Sequence, residues 1–344
     1  MVTKVGIVDD SVIARTVLED IIDSEPGFKV VGKAGDPFQA REMIFDNKPD
    51  ILTLDVEMPR LDGISFLKSL MENFPLPVIM VSSLTERSSK KGMRALELGA
   101  VDIVCKPQGD SRDSLRSLKD DLIPKLKAAA KADVKKIEKK EKKKKKELSI
   151  SLPSRVDGIV IGSSTGGTKA LRKIFKDLPR GLPPILICQH MPPVFTTHFS
   201  KGLNELSDLK VREAKSKDKV KSGEVLLAPG DYHMVISGRA KSSGIPVELT
   251  EDAEVNFQRP AVDPLFSTAA KYLKDKVVSI TLTGMGKDGR NGAKDLEQAG
   301  ATILVQDEET STVYGMPKQV KNNVKSAQEF ALQDLASILE PLAS

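Results

Sequence analysis

The sequence predicts two α/β domains, each built on a mostly parallel sheet, joined by a lysine-rich linker. Three observations predict it. At 344 residues the chain is more than twice a typical domain of roughly 150. Short apolar runs alternate with helical patterns on both sides of the middle of the chain. Between them, residues 127–147 hold almost no large apolar side chain, so burial cannot offset the entropy of ordering them. With 40% hydrophobic and 29% charged residues, the composition excludes collagen-like, disulfide-dense and wholly disordered classes.

In the first half the apolar runs fall at 5–8, 30–31, 51–54, 78–81 and 103–104, at intervals of 22 to 27 residues. Helical patterns separate them, such as Ala14, Val17, Leu18, Ile21 and Ile22, or Ala95 and Leu96 before the Gly99 stop. Five strands alternating with helices form a parallel α/β unit. The pattern restarts after the linker with runs at 158–161, 185–188, 225–228, 234–236, 278–282 and 302–305. The segments 233–237 and 247–250, joined by a Gly/Ser-rich turn, predict an antiparallel hairpin set into a doubly wound sheet.

The net charge of +5 invites a polyanion partner, but its location argues otherwise. Residues 125–147 carry 12 lysines against four acidic residues, a balance of +8 that leaves −3 for everything else. The tract therefore reads as a solvated spacer. Cys105 and Cys188 end apolar runs far apart, which predicts two buried thiols in a reducing, cytoplasmic setting. No signal peptide precedes the first strand, and no apolar stretch approaches the roughly 18 residues of a membrane helix.

Asp9 and Asp10 follow the first run and Asp55 the third, at the carboxyl ends of strands where crevices form. Three carboxylates in one pocket repel unless a hard cation such as Mg²⁺ joins them. A carboxylate can also attack phosphorus to form an acyl phosphate. Ser82 and Lys106 end the fourth and fifth strands, where a hydroxyl and an ammonium can hold phosphoryl oxygens. Each of these residues alone fits a cap or turn equally well. Together VDDS, LDVEMPRLDG, VSS and KP resemble the response-regulator receiver domain, a flavodoxin-like (βα)5 fold, over about residues 4–122. The resemblance implies Asp55 as phosphoacceptor, Mg²⁺ on Asp9, Asp10, Asp55 and the Glu57 carbonyl, and Ser82 and Lys106 as the switch. Ile103 stands where that family commonly has Tyr or Phe.

In the second half the run 158–161 leads into GSSTGGT, a small-residue turn suited to a phosphate or an oxyanion. Gly162-x-Ser164-x-Gly166 also fits a nucleophile elbow. A dinucleotide fingerprint competes, although the G-x-G-x-x-G spacing is not met. His190, one of three histidines, follows the run 185–188 and so lies at the same sheet edge as Ser164, placed for a general base. His198 and His233 lack such a position and read as surface or structural, without metal-ligand spacing. Asp288, in LTGMGKDG after the run 278–282, is a turn residue or a carboxylate that orients the base.

Taken together, GSSTGG, QHMPP, APGDYH, RPAVDPLF, LTGMGKDG and YGMP resemble the catalytic domain of the chemotaxis protein-glutamate methylesterase family over about residues 155–342. The receiver-like half in front of it matches that family's architecture. The resemblance implies a receiver domain at 1–124, a linker at 125–149 and a doubly wound, Rossmann-like esterase domain at 150–344. It further implies Ser164 as nucleophile, His190 as base, Asp288 as orienter, and the N–H groups of Thr165 and Met285 as oxyanion hole. The expected activity is demethylation of glutamate γ-methyl esters, and deamidation of glutamines, on chemoreceptors, with no cofactor for hydrolysis. A histidine kinase is the expected phosphodonor, the unphosphorylated receiver the inhibitor, and the chain a monomer that meets the membrane only through receptors. A phosphorylation-controlled DNA-binding regulator lacks a helix-turn-helix after the linker. A nicotinamide oxidoreductase leaves His190 unexplained.

Overall fold

The computed structural model describes residues 2–58, 62–83, 85–107, 112–132 and 150–343. Chain contacts divide it into two compact units, 1–141 and 142–344. The first holds β1 (Thr3–Val8), α1 (Val12–Asp23), β2 (Phe28–Ala34), α2 (Pro37–Asn47), β3 (Ile51–Asp55), α3 (Gly63–Asn73), β4 (Val78–Ser83), α4 (Glu86–Glu97), β5 (Asp102–Lys106), α5 (Arg112–Arg116) and α6 (Lys119–Ala129). Its sheet runs β2-β1-β3-β4-β5, parallel throughout, which is the flavodoxin-like order. The apolar run of β3 is buried at all five positions, as a strand covered by helices on both faces must be.

The expected start of the linker at Lys125 is corrected by α6. Leu122, Leu126 and Ala129 of that helix are buried in one core with Val17, Leu18 and Ile21 of α1. Lys125 donates to the Ile103 carbonyl and pairs with Asp121, while Lys127 pairs with Glu25. The composition of this segment looks like linker because of its lysines, yet Lys125 is held in the fold by its bonds to Ile103 and Asp121, and Leu126 is buried. The rest of the predicted linker, 133–149, lies outside the described residues.

The second unit contains β6 (Gly158–Ser163), α7 (Gly167–Phe175), β7 (Ile185–Gln189), α8 (Phe195–Leu206), β8 (Lys210–Glu213), β9 (Lys219–Val220), β10 (Glu224–Leu227), β11 (His233–Ile236) and β12 (Ile245–Thr250). It continues with α9 (Val262–Leu273), β13 (Val277–Thr281), α10 (Arg290–Gln298), β14 (Thr302–Gln306), α11 (Met316–Asn323), β15 (Gln328–Phe330) and α12 (Leu335–Leu339). Seven strands form a parallel sheet in the order β15-β14-β13-β6-β7-β10-β8. The chain winds from β6 outward through β7, then reverses to β13 on the other side, so a crevice opens at the carboxyl end of β6.

The hairpin of β11 and β12 is present and antiparallel. It joins β9 in a separate three-stranded sheet and is not part of the large one, which corrects the expected placement. β8, β9 and β15 escaped the apolar-run reading because they are short and lie at sheet edges, where most of their residues stay polar.

Helix α9 packs closely on both β6 and α10. A Cβ on Gly162 would stand 2.4 Å from Val262 Cγ1, and one on Gly292 would stand 2.5 Å from Phe266 Cβ and 2.9 Å from the Asp263 carbonyl oxygen. Backbone cannot move aside as a flexible side chain can. Gly292→Ala is therefore expected to lose about 2 kcal/mol by overpacking, outweighing the gain of about 1 kcal/mol in helix propensity. The chain has no Trp, so circular dichroism in urea is the measurement; an unchanged or raised midpoint contradicts the packing argument.

Candidate active site

Two clusters of polar side chains lie at strand ends, one in each unit. In the first, Asp9 and Asp10 follow β1, and Asp55, Ser82 and Lys106 stand on β3, β4 and β5. One oxygen from each of Asp9, Asp10 and Asp55 lies within 4.8 Å of the others. Lys106 Nζ reaches Asp55 Oδ2 at 2.7 Å and Asp9 Oδ2 at 2.8 Å. Arg15 donates to the carbonyls of Asp9 (2.6 Å) and Asp10 (3.0 Å), fixing the turn that presents the two carboxylates. Glu57 N–H donates to Asp55 Oδ1 at 3.2 Å. Ser82 is buried and its hydroxyl donates to the Ser83 carbonyl, so it is beside the cluster but not bonded to Asp55. Gly63 is indispensable here, since a Cβ would fall 2.0 Å from the Asp55 carbonyl oxygen.

The donor set suits a hard divalent cation. It offers three carboxylate oxygens, whose charge the single Lys106 ammonium balances only in part. Electrostatics agree. Burial, together with the neighbouring Asp9 charge, pushes the Asp55 carboxyl up to about 6 against the pull of Lys106. Burial opposes the Lys106 charge, but Asp9 and Asp55 outweigh it and hold the ammonium above its ordinary range.

The second cluster spans three adjacent strands. Ser164 follows β6, His190 follows β7, and Asp288 lies in the turn after β13. His190 Nδ1 is 3.1 Å from Ser164 Oγ, and His190 Nε2 is 2.7 Å from Asp288 Oδ2. An ionised carboxylate only accepts, so Nε2 carries the ring proton and the Nδ1 lone pair faces the serine hydroxyl. Asp288 is 2% exposed. Its Oδ2 also accepts from Val262 N–H (2.6 Å), and its Oδ1 from Asp263 N–H (3.0 Å), Gly289 N–H (2.9 Å) and Asn256 Nδ2 (3.3 Å). Burial alone would push this carboxyl up; the bonds from His190 and the α9 amides overcome it and hold the carboxyl below its usual range.

Local backbone explains why Ser164 can be reached. Gly166 takes a left-handed φ of 78° to turn the chain from β6 into α7, and a Cβ on Gly167 would strike Gln189 Oε1 at 2.2 Å. On the other side a Cβ at Gly284 would meet Ser164 Cβ at 2.8 Å, so the loop bearing Met285 lies directly against the serine. The Met285 N–H has no acceptor among the described residues. Thr165 is buried and its carbonyl accepts from Thr283 Oγ1. Helix α7 starts at Gly167, so its positive end points to the same place.

Several residues of this cluster were not singled out from the sequence. Gln189 is 2% exposed; its Oε1 accepts from Ser163 Oγ (2.6 Å) and its Nε2 donates to the carbonyls of Ser164 and His190 (3.0 Å each). It thus ties the two loops that carry Ser164 and His190. Gln306 does the same under the Met285 loop, accepting from Thr283 N–H at 2.8 Å. A signal was present, since both glutamines close apolar runs, ILIC before Gln189 and ILV before Gln306. Asn256 and the amides of Val262 and Asp263 left no comparable signal. His233 is buried with both ring nitrogens bonded to backbone, a structural role, and His198 lies half-buried on α8. Cys188 is buried and Cys105 partly so, both free.

Comparisons with known proteins agree with this division. The family described as CheB methylesterase matches residues 159–339, and the response regulator receiver domain matches 5–117. A protein-glutamate methylesterase/protein-glutamine glutaminase of Nitrosomonas europaea is 43% identical over 339 residues, 97% of this chain and 94% of that protein. One from Pyrococcus horikoshii is 42% identical, covering 92% and 86%. The crystal structure of the Thermotoga maritima CheB methylesterase catalytic domain superposes with a TM-score of 0.51 at 38% identity, over 54% of this chain and 98% of that one. The DNA-binding and nicotinamide alternatives find no support, and the small-residue turn that prompted the latter is the Ser164 turn. Among the described residues no helix is long and apolar enough to cross a membrane.

The raised Asp55 carboxyl has a consequence for stability. Because the folded chain binds this proton more tightly than the unfolded one, the group favours folding most below about pH 4, and that advantage is lost as pH rises to about 6. Asp55→Asn is expected to stabilise the first unit, by about 1 to 2 kcal/mol more at pH 7.5 than at pH 5 without divalent cation. Denaturant titrations of both proteins at the two pH values check this. An equal difference at both contradicts it.

Proposed function

The chain belongs to the CheB methylesterase family and carries a response-regulator receiver domain ahead of the catalytic one, and from that premise we propose how its residues perform and regulate the reaction. It is a protein-glutamate methylesterase with protein-glutamine glutaminase activity, controlled by phosphorylation, in bacterial chemotaxis. The substrate is a glutamate γ-methyl ester on the cytoplasmic helices of a chemoreceptor, and the phosphodonor is a histidine kinase. The chain acts as a cytoplasmic monomer that reaches the membrane only through its receptors.

The observation that carries the reading is the chain of two hydrogen bonds from Ser164 through His190 to the caged Asp288. Ser164 Oγ attacks the ester carbonyl while His190 Nδ1 takes its proton. The developing oxyanion lies against the N–H groups of Thr165 and Met285. Collapse expels methanol, protonated by His190, and leaves an acyl-serine. His190 then draws a proton from water, which attacks the acyl carbon and frees glutamate and Ser164. With glutamine the same steps release ammonia. Throughout, Asp288 remains ionised and holds the imidazole in the required tautomer. Hydrolysis on this path uses no cofactor.

In the receiver, Asp55 is the phosphoacceptor. A carboxylate oxygen attacks the phosphorus of the donor phosphohistidine, whose ring nitrogen leaves. Asp9, Asp10 and Asp55, with the Glu57 carbonyl, would hold Mg²⁺, which would supply positive charge for the phosphoryl oxygens. Lys106, already paired to Asp55, holds a phosphoryl oxygen afterwards, and Ser82 completes the switch by turning its hydroxyl from Ser83 to the phosphoryl group. The unphosphorylated receiver inhibits the catalytic domain, and phosphorylation relieves it.

Methanol release from methylated receptor membranes, with and without a small acyl phosphate, tests reaction, substrate and regulation together. The full chain is expected to release methanol faster with the phosphodonor, and Asp55→Asn to lose that response. Ser164→Ala is expected to lower turnover by a factor of about 10⁶, as for other serine nucleophiles. Retained activity in Ser164→Ala, or equal rates with and without phosphodonor, contradicts the reading.

A further inference from the structure

The strap between β12 and α9, residues 251–261, faces two ways. Val255 and Gln258 form an antiparallel bridge, each N–H donating to the other's carbonyl at 3.1 and 3.0 Å. The two residues between them, Asn256 and Phe257, both have left-handed backbones, with φ of 54° and 62°. Such a two-residue corner suits asparagine and glycine; for an aromatic residue it is strained. Asn256 turns inward, its Nδ2 lying 3.3 Å from Asp288 Oδ1 and 3.3 Å from Asp263 Oδ2. Phe257 turns outward and is 87% exposed, more than any other large apolar side chain among the described residues.

The strap is anchored around this corner. Both ends are held by His233, whose Nε2 donates to the Ala253 carbonyl and whose Nδ1 accepts from Ala261 N–H, each at 3.1 Å. Arg259 donates to the carbonyls of Glu251 and Asp252. The adjoining turn joins it through Asp231 N–H, which donates to the Arg259 carbonyl at 3.1 Å, and carries a second exposed aromatic, Tyr232. That turn also abuts the loop after His190, since a Cβ on Gly230 would fall 2.1 Å from Pro193 N. Two exposed aromatic rings therefore stand on linked, well-held loops beside the catalytic cluster.

The Phe257 ring is 87% exposed, and its left-handed backbone would be easier for glycine, asparagine or aspartate. We infer that Phe257 is a docking residue for the protein substrate, packing against apolar side chains of the receptor helix one turn from the methylated glutamate. The inference rests on the methylesterase reading of the site. A methyl ester has few atoms to hold, so preference for an ester on a protein over a free one must come from contacts outside the pocket. On a helix, side chains three and four positions from the ester share its face. An exposed aromatic ring next to Asn256, which itself bonds Asp288, can meet them at little entropic cost.

The test compares the full chain with Phe257→Asn, which accepts the left-handed backbone but lacks the ring, and with Phe257→Tyr, which restores a ring. Substrates are methylated receptor in membranes and N-acetylglutamate γ-methyl ester. The inference expects Phe257→Asn to raise the receptor KM about tenfold or more relative to that for the small ester, with an unchanged or higher unfolding midpoint, and Phe257→Tyr to recover most of the ratio. An unchanged ratio overturns it, as does an equal loss of kcat on both substrates, which marks an ordering role for the strap. Wild-type chain that cleaves the small ester but frees no methanol from receptors overturns the functional reading itself, and the inference with it.

Discussion

The catalytic unit depends on one buried carboxylate. Asp288, almost without solvent, would be neutral or absent in an apolar interior. Here it is the acceptor for five N–H groups from His190, Asn256, Val262, Asp263 and Gly289. Two of them are the first amides of α9, so a helix N-terminus supplies partial positive charge to a carboxylate that pairs with no lysine or arginine among the described residues. That requirement explains the close packing around it. Helix α9 must come near enough to β6 for Gly162 to lack a Cβ, and near enough to α10 for Gly292 to lack one. The ionised state of Asp288 then sets the histidine tautomer, and the tautomer sets which nitrogen faces Ser164.

The receiver solves the opposite problem with similar means. Its carboxylates also sit at the carboxyl ends of parallel strands, but two of them share one lysine and few amides. The result is a raised Asp55 carboxyl and a strong demand for more positive charge. An excess of buried negative charge is what a site for a divalent cation and a phosphoryl group requires, whereas a fully satisfied carboxylate is what a permanent orienter requires. Two α/β sheets of related topology thus yield a switch in one unit and a hydrolase in the other, and the difference lies in how completely each carboxylate is hydrogen-bonded.

Most of the fold was legible because parallel strands are covered on both faces and read as unbroken apolar runs, as in GIVIG before Ser164 and ILIC before His190. Residues at the ends of those runs converge on one sheet edge, so the meeting of Ser164 with His190, and of Asp9 with Asp55, could be anticipated. Asp288 alone reads as a turn residue, because its five donors are scattered over as much as 98 positions and only packing collects them. Asn256 and the α9 amides are tertiary features of the same kind, whereas Gln189 is marked as the polar residue that closes an apolar strand. The linker reads as starting at 125, inside α6, because lysine content outweighs the buried Leu126, Ala128 and Ala129, and the edge strands are missed because short polar strands carry no period. Placement of the hairpin in its own sheet depends on β9, two residues long, which no sequence pattern marks.

The bond chain from Ser164 to Asp288 requires Asp288 to be an ionised acceptor that keeps the His190 proton on Nε2. Asp288→Asn tests this most directly, because the amide preserves shape while its NH₂ can donate to Nε2 and force the ring proton onto Nδ1, toward Ser164. Measured as methanol release from methylated receptors, kcat is predicted to fall by about 10⁴ with KM little changed, the effect of the wrong tautomer in a serine triad. A kcat within about tenfold of wild type would contradict the account, because a triad orienter whose loss costs so little would not be acting through the tautomer.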